Sequence, residues 1–221
     1  MRWPSGVTAP ARTPPEALHR LMAFLRDDRL AWFDFLEREG LLGLNNIWTF
    51  VGSGSPGYTT LLPQADCAGR ARLRDIWLGL ESQETTCISP AMFGEFFLPY
   101  MAEVARRFGR VYYGCCEPVH DRWDLLIEAV PHIGGVSISP WCDMPAMGER
   151  LGKTCVFSRK PKPAPISGDN PDWDALAQDL DETFAATRDG CLEIIYRDVY
   201  RINGDRPRLR RWAEMARARI G

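Results

Sequence analysis

The sequence predicts an α/β fold built on a parallel sheet or barrel, and three observations predict it. From Arg74 onward, short β-favouring runs alternate with amphipathic helical runs, the pattern of repeated β/α units. The run Val111-Tyr-Tyr-Gly-Cys-Cys-Glu-Pro118 stops abruptly at two thiols, a carboxylate and a helix-starting proline, which is how strand ends of an α/β barrel present chemistry. The same layout recurs in Val136-Ser-Ile-Ser-Pro-Trp-Cys-Asp143 and Cys155-Val-Phe-Ser-Arg-Lys-Pro161. With 221 residues, 45% hydrophobic and 25% charged, the chain has the material for one domain (1–221) with a single core.

Residues 1–12 have no periodicity and read as an irregular lead-in. Thr13-Pro14-Pro15-Glu16 is a capping box with proline in the first turn, and Leu18, Leu21, Met22 and Leu25 recur on one helical face behind it. A second helix is predicted over 28–39, ended by Gly40. Residues 40–64 gather Gly52, Gly54, Gly57, Pro56 and Pro63 among aromatic residues and read as a long loop of the kind that carries function. Residues 1–73 therefore form a helical lead-in and loop, and 74–221 hold five β/α units. The predicted strands are 75–81, 111–116, 135–139, 154–158 and 192–197. Helices follow at 89–108, with Ser89 as cap and Pro90 behind it, then at 120–130, 144–151, 171–188 and 206–220. Gly152 closes the third of these.

Charge and composition narrow the function classes. The 27 basic and 29 acidic side chains give a net charge of −2, without the basic surface that nucleic acid requires. No apolar stretch reaches the length of a membrane span, and the opening Met-Arg-Trp-Pro-Ser lacks a signal peptide's apolar segment, so a cytoplasmic protein is expected. Seven cysteines in a chain of this size suggest free thiols or metal ligands rather than a disulfide framework.

The run Ile88-Ser-Pro-Ala-Met-Phe-Gly-Glu-Phe-Phe-Leu-Pro-Tyr100, followed by the Tyr-Gly-Cys-Cys-Glu strand end, resembles the uroporphyrinogen decarboxylase superfamily, which also holds zinc-dependent, corrinoid-linked methyltransferases. The resemblance covers about 74–220 and, more loosely, the Gly-Ser-Gly-Ser-Pro-Gly-Tyr-Thr stretch at 52–59. It implies a TIM-type (β/α)8 barrel of which this chain shows the last five units. The first three are then absent, leaving two strand edges and an apolar face to be covered. A fragment, a partner chain or oligomer completing the barrel, and cover by residues 1–60 are the three explanations. Two departures concern chemistry. Tyr113 stands where the methyltransferases place a zinc-binding histidine. Asp198, in Tyr196-Arg-Asp-Val199, lies near where those enzymes have a last cysteine and the decarboxylases a histidine.

Alternation along the strand puts Tyr113, Cys115 and Glu117 on one face, with Cys116 joining them only if the strand ends there. Zinc accepts sulfur and carboxylate ligands, which makes Cys115, Cys116, Glu117 and Asp198 the expected metal set, with Cys142 or His120 as further donors. The alternative is that these cysteines simply pack in the core. Glu81, Tyr113 and Cys115 are the expected catalytic residues, the first as a base at a strand end beside Gly79, where substrate can approach closely. Glu84 lies beyond it in a loop. Trp77 and Trp141 are expected to wall the pocket, and Arg159 and Lys160 to bind an anionic substrate. Asp143 is expected to cap a helix. The first reading of function is methyl or alkyl transfer through a Cys-bound zinc, with a small-molecule substrate or a corrinoid protein as partner. The alternatives are a metal-free decarboxylase acting on an acidic tetrapyrrole or other polycarboxylate, and an inactive half-barrel that binds a partner.

Overall fold

Runs rich in Val, Ile, Tyr and Trp pair side by side because each is too short and too apolar to stand alone, and they form a five-stranded parallel sheet. The computed structural model describes residues 15–220. Helix α1 (Pro15–Glu39) leads into an antiparallel hairpin of β1 (Ile47–Gly52) and β2 (Ser55–Tyr58). The repeating units follow: β3 (Trp77–Leu80), α2 (Pro90–Phe96), α3 (Leu98–Ala105), β4 (Arg110–Tyr113), α4 (Trp123–Ala129), β5 (Ile133–Ile138), α5 (Met144–Leu151), β6 (Val156–Arg159), α6 (Ala164–Ser167), α7 (Trp173–Ala186), β7 (Cys191–Ile194) and α8 (Pro207–Arg217). The sheet order is β3-β4-β5-β6-β7, every neighbouring pair parallel.

All five predicted strands exist, and their alternation separates the two faces of the sheet. Leu78, Val111, Tyr113, Val136, Ile138 and Phe157 face the helices and pack with Phe93, Ala105, Leu126, Met147 and Leu151. Each such fully buried apolar side chain contributes roughly 1.5–3 kcal/mol. Trp77 and Tyr112 point the other way, into a small second cluster with Leu62 and Val51 beneath the hairpin.

The long loop expected over 40–64 is instead built around that hairpin. Its turn residues Ser53 and Gly54 both have positive φ, +49° and +82°, which is the conformation a two-residue type I′ turn needs. Asn45 ties its base to the edge of the sheet: the side-chain amide donates to the Trp77 carbonyl (2.9 Å) and its oxygen accepts from the Trp77 N–H (2.8 Å), imitating a neighbouring strand. Asn46 accepts from the Trp77 indole (2.8 Å) and donates to the carbonyls of Thr59 and Leu62. Part of the 1–60 segment therefore covers the helix-free face of the sheet.

Two helix boundaries differ from expectation. The two helices predicted up to Gly40 are one continuous α1, since Arg26-Asp27-Asp28-Arg29 contains nothing that stops a helix. The single helix expected over 89–108 breaks at Phe97 because Pro99 has no N–H to donate and restricts the residue before it. Ser89 caps α2 through Met92 N (3.2 Å), and Gly152, at φ +47°, closes α5. The predicted cap at Thr13 and Pro14 lies outside the described residues. Among those residues no helix is long and apolar enough to cross a membrane.

Candidate functional site at the strand ends

The C-terminal ends of parallel strands leave side chains and backbone groups with no further pairing, so chemistry collects there. On the hairpin side these ends bring together Glu81 after β3, Cys115 after β4 and Arg197 after β7, around a cavity of about 300 Å³. Phe50, Val51 and Ser53 of the hairpin form its roof, and Leu80 and Tyr112 also line it. Arg197 donates to Ser53 Oγ (3.0 Å), Ser53 is bonded to Ser137 Oγ (3.3 Å), and Ser137 donates to the Cys115 carbonyl (2.7 Å). The turn of the hairpin is thus tied to the ends of three strands.

A second polar group lies beneath Tyr112. Lys160 Nζ donates to Tyr112 Oη (3.0 Å), to the Ser158 carbonyl (3.3 Å) and to Ser158 Oγ. Tyr112 donates to Ser158 Oγ (3.0 Å), and Ser158 in turn donates to Glu193, which also accepts from Ser55 of the hairpin. Lys160 is buried, and burial pushes its ammonium down to about 8, against the opposing pull of Glu193. Burial raises the Tyr112 phenol well above its ordinary value, so it remains a hydroxyl.

No family model, curated protein or solved structure matches this chain. The site therefore has to be read from its own geometry.

That geometry reassigns several sequence-predicted residues. Gly114, at φ +95°, ends the alternation of β4, so Cys115 reaches the cavity while Tyr113 faces the helices and Glu117 turns inward. Tyr113 is fully buried, its hydroxyl has no partner among the described residues, and burial holds its proton firmly. Tyr112, one residue earlier, is the tyrosine of the site. Glu117 accepts from the backbone N–H groups of Ser82 and Cys115 (both 2.9 Å) and so clamps two strand-end loops together. Asp198 sits beyond β7 with φ +60°, accepting from Tyr200 at 3.4 Å.

The four expected zinc ligands are consequently not assembled. Among the described residues no three His, Cys, Asp or Glu side chains are grouped to hold a metal ion, and the Glu117 oxygens serve the backbone. What remains is the pair of sulfurs, Cys115 Sγ and Cys116 Sγ 3.7 Å apart, with Glu81 beside Cys115. Burial and then Glu81 push the Cys115 thiol up to about 12, so unaided it is protonated at neutral pH and a poor nucleophile. All seven cysteines are free.

Arg159 and Lys160 leave β6 on opposite faces. Arg159 is buried on the helix side, paired with Asp179 and donating to the Ser139 carbonyl (3.1 Å). Lys160 lies on the hairpin side, buried behind Tyr112, while Arg197 is the cation that lines the cavity itself. Trp77 is a packing residue under the hairpin, and Trp141 is exposed outside it. Gly79 lines the cavity, and the hairpin also packs closely on it, since a Cβ there would stand 2.5 Å from the Val51 carbonyl oxygen. Asp143 does cap α5, accepting from Ala146 N at 3.0 Å. His120 accepts from the Asp143 N–H (3.3 Å) at the same helix start, and Glu84 lies in an exposed turn.

Sequence reading missed Tyr112, Ser158, Glu193 and Arg197. An available signal was the register of β6 and β7: Ser158, Lys160 and the positions paired with them share one face once Phe157 is placed in the core.

Proposed function

We propose that the chain is a decarboxylase-type enzyme for a small polycarboxylic acid, on a sheet equivalent to the last five units of a (β/α)8 barrel resembling the uroporphyrinogen decarboxylase superfamily. The sequential, all-parallel strand order supports the barrel comparison. The convergence of Arg197 and the Lys160–Tyr112 pair at one end of the strands carries the functional reading. A guanidinium engaged, among the described residues, only by a serine hydroxyl is available to a carboxylate, which it binds through two parallel hydrogen bonds. Phe50, Val51 and Leu80 supply apolar walls that disfavour a charged carboxylate, and losing CO2 removes that charge. Glu81 at the rim is the residue placed to exchange a proton with the product. The cavity is at the small end of ligand sites, which favours a compact acid over a tetrapyrrole.

Calorimetric titration with tricarballylate at low ionic strength, followed by a CO2-release assay over di- and tricarboxylic acids, tests this. Binding should disappear in Arg197→Ala and survive in Arg159→Ala. The absence of carboxylate binding in the parent chain would overturn the reading.

One observation favours a second reading, alkyl transfer to a corrinoid or other acceptor: the adjacent sulfurs of Cys115 and Cys116 beside Glu81 form part of a thiophilic metal site. Its remaining ligands would have to come from solvent, substrate or a partner. Stoichiometric zinc lost in Cys115→Ser would support it. The third reading, a barrel segment that only binds a partner, would gain from an obligate assembly with neither metal nor carboxylate binding.

A further inference from the structure

Of the 27 basic residues in this chain only three are lysines, Lys153, Lys160 and Lys162. Arginine supplies the other 24, and Arg122, Arg159 and Arg208 are buried, yet the buried cation behind Tyr112 is a lysine. The two differ in one decisive respect: lysine can shed its proton, arginine cannot. Lys153 and Lys162 are exposed.

Lys160 is also set up as something other than a counter-ion. Among the described residues it makes no ion pair; its three ammonium hydrogens meet hydroxyl and carbonyl oxygens of Tyr112 and Ser158. Ser158 connects it to Glu193, because the hydroxyl that accepts from Nζ donates to that carboxylate. A proton can therefore leave Nζ by way of Ser158 Oγ, whose own hydrogen points to Glu193. Burial, which brings the ammonium down to about 8, favours loss of that proton. The charged and titratable groups around it are Tyr112 from β4, Cys115 beyond β4, Glu193 from β7 and Arg197 beyond β7.

We infer that Lys160 is an amine nucleophile that forms a Schiff base with the ketone of a β-keto acid, with Arg197 holding a carboxylate and Tyr112 donating to the ketone oxygen. Tyr112 lines the cavity and its hydroxyl lies 3.0 Å from Nζ, with Lys160 buried directly behind it, so a carbonyl that takes over the hydrogen Tyr112 now gives to Ser158 comes within reach of the amine. The proposal rests on the polycarboxylate reading and names its substrate class. In the first step the neutral Nζ bonds to the carbonyl carbon as the C=O π pair moves to oxygen; that oxygen takes one proton from the nitrogen and a second from solvent and leaves as water. The resulting iminium is the electron sink: the bond to the carboxylate carbon breaks, CO2 departs, and the bonding pair moves through the C=N group to nitrogen, giving an enamine. Protonation on carbon and addition of water return the ketone and free Lys160. No oxidant or reductant takes part.

The test is incubation of the full chain with acetoacetate and sodium borohydride, which reduces an imine to a stable secondary amine, followed by peptide mass mapping of the three lysines. The expected result is a single adduct at Lys160. It should be absent in Lys160→Arg and slowed about 10²-fold in Glu193→Gln, in variants whose far-ultraviolet circular dichroism matches the parent. Labelling confined to Lys153 and Lys162, or none, would overturn the proposal. If tricarballylate still bound through Arg197 without any Lys160 adduct, the polycarboxylate reading would stand and the Schiff base would fall. A Lys160 adduct formed equally well with butanone, in a chain that binds no carboxylate, would do the reverse.

Discussion

Lys160→Met removes the buried ammonium while keeping a long unbranched side chain, and its effect should depend on pH in a specific direction. Tyr112 can still donate to Ser158, and Ser158 to Glu193, so no donor hydrogen is stranded by the change. In the native chain Lys160 loses its proton near 8, whereas in the unfolded chain it holds it to the ordinary value of 10.5. Between those values the unfolded state binds a proton that the native state lacks, so this residue makes stability rise with pH there. At 1.36 kcal/mol per pH unit, the parent should gain about 2 kcal/mol on Lys160→Met between pH 7 and pH 9.5. The difference between parent and variant is the quantity to follow, since the cysteines and tyrosines titrate in both. Urea unfolding of both proteins across that range measures it, with the offset at any one pH absorbing changes in packing. A pH-independent difference, or one favouring the variant more strongly as pH rises, would refute the claim that burial depresses this lysine.

Glu117→Ala leaves two backbone N–H groups, one buried and one half-buried, without an acceptor, and should cost about 2–4 kcal/mol, seen as a lowered denaturation midpoint. Gly79→Ala drives a methyl group against the Val51 carbonyl, so the hairpin should lift from the sheet at a cost of about 1–3 kcal/mol; faster proteolysis within 47–58 is the expected signature. Asp143→Ala removes the cap of α5 and should cost about 1 kcal/mol in chemical denaturation, with carboxylate binding unchanged.

The five strands were legible because a parallel sheet covered on one face by helices writes its core residues as short apolar runs, and Val111, Val136 and Phe157 anchor three of them. Caps were legible for the same local reason: Ser89 and Asp143 act within three residues of themselves. The hairpin was not recognised, although Ser53-Gly54 carried the turn signal, because Gly and Pro around it also describe a loop. What makes it a hairpin on this sheet is long-range: Asn45 and Asn46 reach Trp77 more than thirty residues away, and Gly79 leaves room for the backbone to settle.

The site was less legible than the fold because its residues depend on where alternation starts and stops. Gly114 resets the side-chain direction after β4, moving Cys115 into the cavity while Tyr113 and Glu117 turn into the protein. One residue decides as much at β6, where Arg159 and Lys160 are adjacent cations with opposite destinies. The guanidinium keeps its charge against Asp179 and backbone carbonyls on the helix side. The ammonium is placed among hydroxyls on the other side, where nothing compensates its charge directly. A buried charge without an ion partner is unfavourable for folding. The fold could have avoided it with a neutral side chain, so the position is better understood as serving a group whose charge must come and go.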